Sequence, residues 1–143
     1  MTKLSLDQKR AQDALAQIKK VKEENYERKF RSYVSSFPSK IILFGLGNAV
    51  ATELSSAGRK RDKDDPDRRA HEHLIKSIFS WISNKNNLGM KFDYSRWKVK
   101  VLGYLSTIDQ KEYILVQSEI LSYLGWLKKF SQALLKKEED SDE

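Results

Sequence analysis

Apolar positions recur at helical spacing along nearly the whole chain. Ala11, Ala14, Leu15, Ile18 and Val21 follow the i, i+3, i+4, i+7 rule of one buried helical stripe. The spacing predicts a helix starting at Asp7, near Leu6-Asp7-Gln8, with Lys9 and Lys20 opposite that stripe. Tyr26, Phe30, Tyr33, Val34 and Phe37 form a second stripe that turns Arg28 and Arg31 outward. Pro38 is expected to break this helix and open the next, because proline removes an amide donor and suits a first turn. The run Ile41-Ile42-Leu43-Phe44 then meets Gly45-Leu46-Gly47, and Asn48 to Leu54 resumes the helical period. Glu53 is the only charge between Ile41 and Gly58, so two short buried helices around a glycine turn are expected there.

Residues 58–67 offer nothing to bury and read as a mobile charged loop. Asp65-Pro66 pairs an N-cap with a first-turn proline and starts the next helix. That helix carries Leu74, Ile75, Ile78 and Ile82, has Phe79 and Trp81 on its flanks, and ends in Asn84 to Gly89. A shorter helix over about 94–106 holds Trp97, Val101, Leu102 and Leu105. The last, about 109–137, is capped by Asp109 and buries Tyr113, Val116, Ile120, Leu124, Leu127 and Leu134. Its polar face runs Ser118, Ser122, Gly125, Lys129, Gln132 and Lys136, and Tyr123, Trp126 and Phe130 form an aromatic edge. No strand-like alternation of useful length and no internal repeat is found. The pattern predicts an all-α fold: a single compact bundle of about six helices over residues 1–137, with a long C-terminal helix and a disordered acidic tail at 138–143.

At 143 residues, 39% of them hydrophobic, the chain suffices for one core and not for a second. Mean hydropathy is -0.66. Neither a membrane-crossing run nor a signal peptide is found, so a cytoplasmic protein is expected. The charge changes the picture more. The formal +7 includes five acids within 138–143, so residues 1–137 carry 27 cations against 15 acids, a balance of +12. A body this basic favours polyanions, since each Lys or Arg that meets a phosphate releases a condensed counterion.

Catalytic chemistry is thin. With no Cys there is no thiolate nucleophile and no cysteine zinc site. His71 and His73 stand two apart, on different sides of a helix, so no metal is expected there. Asp62 to Asp67 lacks the glycine of a calcium loop, and His73 falls where its twelfth-position carboxylate would be. Gly45-Leu46-Gly47 lacks the Lys-Ser or Lys-Thr of a phosphate loop. Residues 48–58 carry no Lys or Arg to read bases as a recognition helix would. Neither an enzyme nor a cofactor is expected.

Five features in order carry a resemblance: the helix beginning near Leu6-Asp7-Gln8; Phe37-Pro38; Gly45-Leu46-Gly47 before a small-residue helix; Tyr113; and Ser118-Glu119 leading to Tyr123-Leu124-Gly125-Trp126-Leu127-Lys128-Lys129-Phe130. Over residues 5–135 the chain resembles the small α-helical subunit of the type III-B (Cmr) CRISPR RNA-targeting complex. Lys129 stands where that family suggests arginine, and the 58–67 loop is more charged than expected. The resemblance implies a non-catalytic subunit serving antiviral defence. Its copies would stack head to tail beside the backbone subunits, meet the large polymerase-related subunit, and line the channel for target RNA. Its partners would be those subunits, copies of itself, crRNA and target RNA, with no membrane and no small molecule. Lysines and arginines would touch phosphates without reading bases, which the guide strand already does. The candidates are Lys19, Lys20, Arg28, Arg31, Arg59, Lys60, Arg61, Arg68, Arg69, Lys128 and Lys129; Tyr123, Trp126 and Phe130 are the candidate partner edge. The alternative is a helical protein–protein adaptor without direct RNA contact.

Overall fold

The structure, a computed structural model, describes residues 3–84 and 96–138. Six helices occupy them: α1 (Leu6–Val21), α2 (Glu27–Phe44), α3 (Leu46–Gly58), α4 (Pro66–Asn84), α5 (Trp97–Thr107) and α6 (Gln110–Leu134). The described residues hold no strand, and α6, at 25 residues, is the longest helix. Helix α4 lies centrally, against α1, α2, α3 and α6, while α1 packs along α6. Ile18, Phe30, Phe37, Leu74, Ile75, Ile78, Phe79, Ile82, Ile120 and Leu124 are buried in one continuous core.

Local chemistry sets the helix ends. Ser5, not Asp7, caps α1: its Oγ accepts from the Gln8 amide while Gln8 Oε1 accepts from the Ser5 amide, a reciprocal capping box. Asp65 accepts from the amides of Asp67 and Arg68 beside Pro66, and Asp109 accepts from the Glu112 amide, both as the sequence predicts.

Pro38 does not break its helix. Helix α2 runs through it for 18 residues to Phe44. Proline's φ is compatible with a helix, and the buried neighbours Phe37 and Ile41 offset the missing hydrogen bond by packing. The break falls at Gly45, with φ 87° and ψ 155°, a region open essentially to glycine. One consequence overturns the expectation of a buried segment. Ile42, Leu43 and Phe44, in the last turn of α2, are 71%, 72% and 63% exposed. Leu134 is also exposed, and Leu135 is buried in its place. Helix α5 begins at Trp97, behind Arg96 in the left-handed region. The expected α4 ending at residues 85–89, the start of α5 at 94–95 and the tail beyond Glu138 lie outside the described residues.

Candidate nucleic-acid interface

The eleven candidate cations divide by what they touch. Arg28 Nη1 donates to the Lys137 carbonyl at 2.7 Å, and Arg31 Nη2 reaches the Gln132 carbonyl at 3.5 Å. Lys22 Nζ adds a bond to the Leu134 carbonyl at 2.8 Å. The final carbonyls of a helix lack intrahelical donors and carry partial negative charge, so Lys22 and Arg31 close the end of α6 while Arg28 ties down the segment just beyond it. Arg28 and Arg31 therefore face a neighbouring helix, not open solvent as their stripe predicted. Arg68 pairs with Glu72 at 3.0 Å and bonds the Lys60 and Arg61 carbonyls, holding the charged loop against α4. Arg69 bonds Glu24 and Asn25 and lies 4.5 Å over the Tyr26 ring.

The remaining seven are more available. Lys19, Lys20, Arg61 and Lys129 are exposed and Lys128 half-buried, and none has an ion-pair partner within bridging distance among the described residues. The Arg59 side chain bonds Ser56 Oγ, and Lys60 stands 3.9 Å from Asp67. The polar face of α6 is exposed throughout its predicted positions.

The aromatic edge splits. Tyr123 is fully buried, stacked on Trp81 with ring centroids 5.6 Å apart, and its hydroxyl donates to Asp13 at 2.6 Å. Its ring offers a partner no surface, a correction to its placement on an accessible edge; burial and the Asp13 carboxylate push the phenol far above its ordinary range. Trp126 and Phe130 are half-exposed, with centroids 5.5 Å apart, and the Trp126 indole donates to Asp7.

The sequence reading overlooked an apolar surface around the α2–α3 turn. The Tyr113 hydroxyl accepts from the Gly47 amide at 2.8 Å and fastens this turn to the start of α6. A Cβ on Gly47 would lie 3.4 Å from that oxygen. Ile42, Leu43 and Phe44 lead into the turn, while Ile114 and Leu115, 58% and 54% exposed, follow Tyr113. The expected break at Pro38 placed Ile42, Leu43 and Phe44 in a buried short helix, whereas α2 continues through them and leaves them exposed.

Also overlooked was a buried network. Glu53 accepts from His71 Nδ1 at 2.6 Å and from Lys40 Nζ at 3.2 Å, and His71 stacks on Tyr33 at 4.1 Å. The Tyr33 hydroxyl in turn donates to Asp67. The signal was present: a lone carboxylate in an apolar run must have a partner if it is buried. His73 faces elsewhere, accepting from the Tyr26 hydroxyl and donating to Gln17. Burial, with Lys20, Lys76 and Arg69 nearby, pushes its pKa down to about 4.

A cationic all-α scaffold with exposed apolar residues at the end of α2 is thus in place. The family model described as CRISPR-associated protein (Cas_Cmr5) matches residues 6–134. The chain belongs to the Cas_Cmr5 family. The Cas_Cmr5 match covers α1 to α6 from end to end, and it accords with the ordered motifs that carried the resemblance to a Cmr subunit. The fold agrees as well. The X-ray crystal structure of a CRISPR-associated Cmr5 family protein from Thermus thermophilus superposes with a TM-score of 0.70 at 18% identity, covering 93% of this chain and 100% of that one. Among the described residues no helix is long and apolar enough to cross a membrane.

Proposed function

We propose that this Cas_Cmr5 chain is a non-catalytic structural subunit of a type III-B CRISPR ribonucleoprotein effector. In this reading its copies stack into a belt that lines the target-RNA channel and helps hold crRNA and target RNA in the cytoplasm. Family membership over residues 6–134 carries the reading. A head-to-tail stack needs two unlike faces. The exposed apolar residues Ile42, Leu43 and Phe44 at the end of α2, with Ile114 and Leu115 on α6, supply an apolar one, of the kind a partner covers. The half-exposed pair Trp126 and Phe130 supplies the other. The available cations Lys19, Lys20, Arg59, Lys60, Arg61, Lys128 and Lys129 supply phosphate contacts. The test is reconstitution with the other Cmr subunits: Phe44→Glu should leave the free chain folded and exclude it from the complex. Full incorporation of that variant would overturn the stacking role.

The internal engagement of Arg28, Arg31, Arg68 and Arg69 favours a second reading, an adaptor that meets only proteins. Crosslinking of target RNA in the reconstituted complex separates the two, since adducts on the available cations require the RNA-lining role.

A further inference from the structure

A cavity of about 310 Å³ opens between the end of α1, the turn before α2, the charged loop and α4. Lys20, Lys63, Arg69 and Lys76 line it from three of these segments. Its one carboxylate, Glu72, is engaged by Arg68 at 3.0 Å and Lys98 at 2.6 Å, cations that do not line the cavity. Lys20 and Lys63 have no carboxylate within ion-pair distance among the described residues, and Lys76 has the Trp97 ring at 5.2 Å rather than an acid. Among the described residues Arg69 is the one of the four that is paired, with Glu24. The neutral wall is equally settled: His73 and Tyr26 bond each other, and Ser77 bonds Gln17. Four cations around one concave space, three of them without a carboxylate among the described residues, leave a positive field that an anion would relieve.

We propose that this cavity is a binding site for a phosphate group, held by Lys20, Lys63 and Lys76 with Arg69 at its rim. Three tetrahedrally disposed oxygens match several separate ammonium donors better than one planar carboxylate does. His73 shares this field: burial is the main cause of its depressed pKa, and Lys20, Lys76 and Arg69, the cations that would hold the anion, lower it further. The site shares Lys20 and Arg69 with the candidate RNA contacts but rests on the cavity alone. It is tested on the free full-length chain, whereas the RNA-lining role is tested in the assembled complex.

The experiment is an NMR titration of the labelled chain with inorganic phosphate at constant ionic strength, with chloride as the control anion. Saturable shifts confined to Lys20, Lys63, Arg69, Lys76 and the His73 ring are expected. Lys20→Gln/Lys76→Gln should weaken binding roughly tenfold or more, as loss of charged hydrogen bonds does. Lys63→Gln, in an exposed loop, should weaken it without touching the helices, which circular dichroism verifies. Competition by a short oligouridylate with or without a 5′-phosphate then distinguishes the sources. Displacement by both identifies a backbone phosphodiester, displacement only by the phosphorylated strand identifies a strand end, and displacement by neither identifies a small free anion. Shifts that spread over the surface and match those in chloride overturn the site, as does saturable binding undiminished in both variants.

Discussion

The informative residues are polar groups placed where the core should be apolar. Glu53 is buried, and His71 and Lys40 answer its charge. Removing one partner of a buried charged set leaves the others without compensation. Glu53→Ala should cost roughly 3 kcal/mol in urea unfolding, whereas Glu53→Gln, which keeps an acceptor for His71, should cost less. His73 gives a pH signature. Its pKa is about 4 in the folded chain and about 6.5 when unfolded, so between these values the unfolded state binds more protons. Its contribution is complete above pH 6.5, declines as pH falls toward 4, and amounts to roughly 3 kcal/mol at the limit. Lys20 from α1, Tyr26 from the turn, and Arg69 and Lys76 from α4 are the titratable or charged groups around it. Unfolding free energies at pH 7.5, 5.5 and 4.5 should fall in that order, and His73→Gln should flatten the series.

At the scale of elements, the ends decide more than the middles. The C-terminus of α6 is held by Lys22 and Arg31 and the segment after it by Arg28, while Glu27, buried beside it, accepts from the amides of Lys136 and Glu23. Burial raises the Glu27 carboxyl, but those amides and Lys22 outweigh it and hold the pKa below the usual carboxylate range. Arg28→Ala/Arg31→Ala should therefore lower thermal stability, by roughly 1–2 kcal/mol, even without any RNA. An unchanged melting temperature would return both arginines to the surface. Periodicity made the core stripes of α1, α2, α4 and α6 legible, because burying one face requires a 3.6-residue repeat whatever the partner. The α2–α3 junction was not legible in the same way. Proline's intrinsic cost argues for a break at Pro38, and only long-range packing around Phe37 and Ile41 overrides it. Nor does a stripe show which charged side chains will meet another helix. Arg28 and Arg31 look outward along α2, yet the residues they bond are 101 to 109 positions away. For the same reason Tyr123 read as an edge residue, although Trp81 and Asp13 enclose it.

Across the whole molecule, the proposed stacking role joins a basic body to exposed apolar residues at the end of α2. An isolated chain presents a few lysines, each worth little against bulk salt. A stack would present the same set at every repeat, so its affinity for a strand would grow through effective concentration rather than through new contacts. This makes the salt dependence of RNA capture the sensitive measurement. If Lys19, Lys20, Lys128 and Lys129 each meet a phosphate of single-stranded RNA, replacing them by Gln in the reconstituted complex should flatten the log–log slope by about 0.7 for each phosphate no longer neutralised. Stability should change little, since none of the four has an ion-pair partner within bridging distance among the described residues. Arg28→Ala/Arg31→Ala should do the reverse, lowering stability while leaving the slope intact, because those guanidiniums already hold the end of α6 and the segment that follows it. A slope that ignores all four lysines would assign the positive surface to an acidic protein partner.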